Sequence, residues 1–286
     1  MRVSFQTRPQ DSDWPSLVDF WKEGDRIELY DAAWTFDHFY PTVGGGRVGG
    51  MSNKPGPVFE GWTMLAALSG IVHRIRLGML VSCATYRHPA VLANMAATLD
   101  IASGGRLEIG LGAGWAEAEH LAYGIAVPPW KERFDRLEET CAIVDALLTQ
   151  ETTTFDGTYF QLREARCDPK PLQQPRPPIL IGGTGEKRTL KIAARWADHW
   201  NLPGGDPDVL RQKLGVLHDH CVAIGRDPVE IEVSIKMVAD GDPGEFADLA
   251  ARYRQAGAQH VIAQFIAPFQ PAKLGALAER LAPLAR

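Results

Sequence analysis

His38 directly follows Asp37, and the pair stands just beyond an apolar run, Ile27 to Trp34, that reads as a strand. An imidazole with a carboxylate neighbour at a strand end is placed to move a proton, because its ordinary pKa lies at about 6.5. Each residue also has a plainer explanation. Asp37 fits an ordinary turn aspartate, and His38 fits a loop cap. A second stretch, Pro178 to Leu190, runs from apolar Ile179-Leu180-Ile181 into Gly182-Gly183-Thr184-Gly185, after which a helical pattern starts at once. Glycines let the backbone turn sharply and leave no Cβ in the way of a ligand. The unpaired N–H groups at the start of a helix suit a phosphate. The spacing is neither a Walker A loop nor a dinucleotide fingerprint, and a strand-to-helix turn without a ligand accounts for the same residues.

Other reactive side chains carry less. Cys83 closes an apolar strand, where a free cysteine is usually a small buried hydrophobe, and no neighbour promises a thiolate. Glu117, Glu119 and His120 lack any HExxH or CxxC pattern and read as a solvated helix start, so no metal is expected. Trp34 and Trp115 suit either stacking on a flat ring or plugging a barrel mouth.

The elements that must position these groups alternate. Val3 and Phe5 mark a strand, and Trp14 to Glu23 a helix stopped by Gly24. Ile75, Leu77, Met79 and Val81 alternate strictly in a third strand ending at Ser82-Cys83, and Arg106 to Gly112 forms a fourth, closed by Gly112-Ala113-Gly114-Trp115. Further strands are expected around Ile179, His199 to Leu202, Ile231 to Ile235 and Gln259 to Phe265, each followed by a helix. Eight such alternations are what a (β/α)8 TIM barrel needs, with functional groups at the carboxyl ends of its strands. Those ends hold Asp37, His38, Ser82, Cys83, Arg87, Gly112, Gly114, the Gly182 to Gly185 turn, Asn201, Lys236 and Gln264. Residues 150 to 177 break the rhythm after the fourth helix, with a small hairpin expected near Asp156-Gly157. The glycine-rich segment from Gly44 to Gly50, in a loop that lasts until Pro57, reads as a lid, a binding loop or a disordered stretch.

The chain has 286 residues and fits one barrel domain over 1–286, with the insertion at about 150–177. A net charge of -5 offers no electrostatic reason to expect nucleic acid or an anionic membrane. The 4 cysteines form no CxxC pair, and the amino-terminal residues lack an apolar signal core. A cytoplasmic setting is the expectation.

An ordered set of motifs carries a resemblance: Phe36-Asp37-His38-Phe39; Tyr86-Arg87-His88-Pro89-Ala90 with Ala97-Thr98-Leu99-Asp100; Ser103-Gly104-Gly105-Arg106; Gly110 to Trp115 with Glu119 and Tyr123-Gly124; and Ile181 to Lys187. Over residues 1 to about 265 this series resembles the bacterial luciferase-like monooxygenase superfamily, and more closely its branch using the deazaflavin coenzyme F420. The resemblance implies hydride transfer between F420 and a small organic substrate, with a homodimer as the expected assembly. It implies a ring lying over strands two to four, faced by Asp37 and His38 and held by Ser82, Cys83, Gly112 and Gly114. It also implies a non-prolyl cis peptide within Val81 to Ala84, and a phosphate on Gly182, Gly183, Thr184 and Gly185. Sugar-phosphate dehydrogenases of this branch place a glutamate where Trp115 stands, which points away from a sugar phosphate. Members using FMN share most of these motifs, so a flavin monooxygenase fed by a separate reductase is the alternative. A cofactor-carrier barrel is a third.

Overall fold

The computed structural model describes residues 1–43, 50–51 and 56–285. Among them, eight parallel strands close into a barrel: β1 (Arg2–Thr7), β2 (Tyr30–Thr35), β3 (Arg76–Met79), β4 (Leu107–Gly112), β5 (Ile179–Gly182), β6 (His199–Leu202), β7 (Glu232–Val238) and β8 (His260–Phe265). Each strand pairs with the next, and β8 pairs with β1 from Arg2↔His260 to Thr7↔Phe265. Helices α1 (Trp14–Arg26), α2 (Gly61–Ser69), α3 (Pro89–Ala102), α4 (Trp130–Thr149), α5 (Thr189–Trp196), α6 (Pro207–Ala223), α7 (Pro243–Gln255) and α8 (Pro271–Leu281) surround it. The fold is a (β/α)8 barrel. The expected hairpin joins Thr153–Asp156 to Gln161–Ala165 between α4 and β5.

Local chemistry sets the helix starts. Asp13, Asp206 and Asp242 each accept a backbone N–H of the first turn, and a proline follows each of them within two residues. Proline's fixed φ and missing N–H suit that turn.

The main apolar core lies between barrel and helices. Phe5, for example, meets Phe20, Trp21 and Tyr30 edge-on, and a Cβ on Gly24 would stand 2.2 Å from its ring. Inside the barrel a small second cluster of Ala32, Trp34, Leu80, Leu180 and Ile262 forms a plug. The indole of Trp34 occupies the space that a side chain at Gly78 would need, 2.1 Å away. Trp34 is therefore a buried plug in the middle of the barrel.

Two elements depart from the sequence pattern. The third strand does not run unbroken to Cys83. It stops at Met79, and pairing with β4 resumes at Ser82↔Leu111. The non-prolyl cis peptide falls in this gap at Leu80–Val81, upstream of the expected Val81 to Ala84. Nor does α5 begin directly after the glycines, because it starts at Thr189. Thr42–Val43 pairs with Gly50–Met51, and the rest of the proposed lid loop lies outside the described residues.

Candidate active site

A cavity of about 220 Å³ opens at the carboxyl ends of the strands, where Asp37, His38, Val81, Cys83, Trp115, Gly183, Lys236 and Gln264 all reach its wall. His38 is the side chain best arranged for chemistry. Its Nδ1 lies 2.9 Å from Glu119 Oε2, and its ring meets Phe36 and Trp115 edge-on at 5.1 Å. Nε2 has no hydrogen-bond partner among the described residues. Glu119 is fully buried and accepts four donors: His38, the Tyr86 hydroxyl, and the Phe39 and Tyr40 amides at 2.8 and 2.9 Å. Burial works against its charge, yet the His38, Tyr86 and Tyr40 contacts outweigh that and hold the carboxyl below its ordinary value. A carboxylate fixed in this way accepts from Nδ1–H and leaves the lone pair on Nε2.

Glu119 and His120 thus correct the expectation of a solvated helix start. The short helix Glu117–Ala122 turns both inward, and both are buried. His120 Nδ1 lies 2.8 Å from the Ala116 carbonyl, so Nδ1 donates and Nε2 accepts from the Thr85 hydroxyl at 2.6 Å. Cys83 Sγ, 3.0 Å from Thr85 Oγ1, then donates in turn. Burial pushes the Cys83 thiol up to about 11.

The partner of His38 is Glu119, and Asp37 is occupied elsewhere. Arg87 grips both oxygens of Asp37 at 2.6 and 2.9 Å, and the Cys83 amide adds a bond at 3.1 Å. Burial works to raise the Asp37 carboxyl, and Arg87 opposes it. Arg87 also reaches Glu60 at the start of α2. Asp37 therefore ties β2 to the segment after β3 and presents no unengaged oxygen to a substrate. Ser82 also misses the cavity. Side chains alternate along an extended chain, so Cys83 faces in while Ser82 faces out and accepts from Trp62 Nε1 at 2.8 Å.

The glycines have packing reasons as well as an open face. Val81 lies across β4 and β5, and a Cβ on Gly112 or Gly182 would stand 2.6 or 2.9 Å from its methyls. Gly183 and Gly114 adopt φ of 127° and 81°, which side chains avoid. Gly182, Gly183 and Gly114 line the cavity, and Thr184 and Gly185 lie on the turn beyond it. The Gly183 amide is already donated to the Asn201 carbonyl at 3.1 Å. Behind Val81, Arg8 donates to Gln264, Gln264 to Gln6, and Gln6 to the Leu80 carbonyl at 2.9, 2.6 and 3.1 Å. Lys236, whose ammonium has no hydrogen-bond partner among the described residues, faces the same space, and burial followed by Arg8 lowers it to about 8.

Strand-end position pointed to Asn201, Lys236 and Gln264. It could not reveal Glu119, which comes from a short helix beyond β4, or Gln6 and Arg8 on and after β1.

The family model for luciferase-like monooxygenases matches residues 6–283. The chain belongs to that family. An uncharacterised protein of Mycobacterium tuberculosis is 34% identical over 209 residues, covering 67% of this chain and 72% of the relative. An F420-dependent glucose-6-phosphate dehydrogenase of Microbacterium testaceum is 32% identical over 226 residues, covering 77% of this chain and 63% of that enzyme. A solved F420-dependent secondary alcohol dehydrogenase, in complex with an F420-acetone adduct, superposes with a TM-score of 0.86 at 18% identity, over 100% of this chain and 99% of the other. No described helix is long and apolar enough to cross a membrane.

Proposed function

We propose that this luciferase-like protein is an F420-dependent oxidoreductase, transferring a hydride between the deazaflavin and a small organic substrate in the barrel mouth. The observation that carries the reading is the Glu119–His38 pair opening onto a cavity at the strand ends whose wall includes Val81, Gly114, Gly182 and Gly183. The residues fit a planar anionic coenzyme. Val81 rests on the glycines of β4 and β5 as a backing surface, Gly114 and Gly183 put backbone on the cavity wall, and the Lys236 ammonium answers an anionic group. The relatives named for F420 support this choice of coenzyme.

Bound F420 would supply the hydride chemistry. The chain supplies orientation and a proton path. Glu119 holds His38 in one tautomer, so that Nε2 takes a proton from, or through the imidazolium returns one to, a substrate oxygen. Phe36 and Trp115 confine the imidazole edge-on. Asp37 is a positioning residue. The Gly182–Gly185 turn is proposed to hold the phosphate through the face of Gly183 and the amides of Thr184 and Gly185. A homodimer and a cytoplasmic location complete the reading.

The family description favours one second reading, oxygen activation on FMN delivered by a reductase. Tryptophan fluorescence separates the two, because Trp115 lies on the cavity wall. Quenching by F420 with little response to FMN is expected. Tight FMN binding with none for F420 reverses the assignment. A His38→Ala variant should bind F420 yet lose about 10²–10⁴-fold in turnover, and full turnover would remove His38 from the mechanism. Coenzyme binding without hydride exchange with any alcohol or carbonyl compound would leave the carrier reading.

A further inference from the structure

At the opposite, amino-terminal end of the barrel lies a group of side chains that the proposed chemistry does not use. His199 opens β6, Glu232 opens β7 and His260 opens β8, and one ligand atom of each lies within 4.8 Å of the others. His199 and His260 are buried, with rings stacked at 5.2 Å. Both nitrogens of His199 and Nδ1 of His260 have no hydrogen-bond partner among the described residues. An unpaired imidazole nitrogen in the interior is costly, and here two of them, His199 Nδ1 and His260 Nδ1, face two carboxylates. His199 Nδ1 stands 3.6 Å from Glu108 Oε2 and 3.7 Å from Glu232 Oε2, and His260 Nδ1 stands 3.7 Å from Glu232 Oε1.

We propose that His199, Glu232 and His260, with Glu108 as a fourth donor, form a structural site for a divalent transition-metal ion, Zn²⁺ foremost. Those separations are long for hydrogen bonds but close to the edge of a zinc tetrahedron, which bonds of about 2.1 Å set at roughly 3.4 Å. Two imidazoles and two carboxylates suit Zn²⁺ better than Mg²⁺ or Ca²⁺. An outer partner is also in place. His260 Nε2 lies 2.6 Å from Ser4 Oγ, which also accepts from Trp34 Nε1 at 3.0 Å. A proton on Nε2 leaves the Nδ1 lone pair for the metal, the usual arrangement of a metal-bound histidine. Arg2 and Arg76 hold Oε1 of Glu108 and leave its Oε2 to face His199, while Arg2 also donates to Glu232 Oε2 and leaves its Oε1 to face His260. A cleft of about 560 Å³ bordered by Arg2, Asp31, Glu108, His199 and Glu232 gives the ion a way in. The site would clasp β4, β6, β7 and β8 at the end of a barrel that serves stability, far from the reacting groups.

The competing explanation is a metal-free ion-pair network with imidazoles packed against Trp34. Native protein stripped with a chelator and titrated with Co²⁺ should take up one equivalent, with the visible absorption of a tetrahedral ion. Zn²⁺ should displace it and raise the melting temperature, while Mg²⁺ should do neither. His260→Gln and Glu232→Gln should each lose the bound equivalent, with folding checked by circular dichroism. Native protein that takes up no stoichiometric Co²⁺ or Zn²⁺ overturns the proposal, whatever the variants do. So does equal uptake by folded His260→Gln protein, which would place the ion on surface histidines.

Discussion

Glu119→Gln separates a carboxylate that sets a tautomer from one that merely fills space. Glutamine keeps the volume and exchanges one oxygen for NH₂. The Oε1 position accepts from the Phe39 and Tyr40 amides, and backbone amides cannot reverse, so the glutamine oxygen must stay there. Its NH₂ then confronts the other two donors, His38 Nδ1 and the Tyr86 hydroxyl. The hydroxyl can rotate. The imidazole can comply only by moving its proton to Nε2, which reverses the face it shows the cavity. A hydrogen bond to a charged group contributes about 1.5–3 kcal/mol and a neutral one about 0.5–1.5. Weakening four contacts by about 1 kcal/mol each, less some recovery from reorientation, gives a loss of roughly 3 kcal/mol. For a chain of this size that corresponds to a fall of roughly 5 °C in melting temperature. Urea unfolding of native protein, E119Q, H38A and the double variant measures it, and the cycle should show coupling of about 1 kcal/mol or more. Turnover of E119Q should fall nearly as far as that of H38A. A variant within about 0.5 kcal/mol of native stability, or strict additivity in the cycle, would refute the role given to Glu119.

Replacing Gly112 with alanine drives a methyl to within 2.6 Å of Val81, so Gly112→Ala should weaken coenzyme binding, and adding Val81→Ala should restore part of it in the same fluorescence titration. Lys236 has its folded pKa lowered to about 8 from 10.5. Between those values the unfolded chain binds more protons, so the Lys236 contribution makes stability rise with pH, and the slope should disappear in Lys236→Met unfolding curves. An anion held by that ammonium should dissociate more readily as pH rises through about 8. Cys83, with its thiol pushed from 9.0 to about 11, should be alkylated about 100-fold more slowly than a free thiol at pH 8, read by peptide mass spectrometry; labelling at the free-thiol rate would contradict the Cys83–Thr85–His120 chain.

Local pattern was enough for the barrel, because period-2 strands, period-3.6 helices and helix-starting prolines are written within each segment. It also placed His38, since a strand end in this architecture leads to the mouth. It misassigned the partner. Asp37 adjoins His38 in sequence, but consecutive residues at a strand end face different ways, so Asp37 turned to Arg87 while Glu119 arrived from 81 positions away. The third strand looked continuous because Val81 keeps the alternation, and nothing in residues 79–82 announces a break that depends on pairing with β4. The glycines were legible as glycines but not in purpose. Gly112 and Gly182 make room for Val81, a contact that exists only once the third, fourth and fifth strands lie side by side.

The relay from Arg8 through Gln264 and Gln6 to the Leu80 carbonyl crosses the seam where the first and last strands meet. A nascent chain therefore lacks part of the pocket wall until its final strand has left the ribosome. No shorter amino-terminal fragment should grip the coenzyme, and catalytic competence should switch on late in synthesis and all at once.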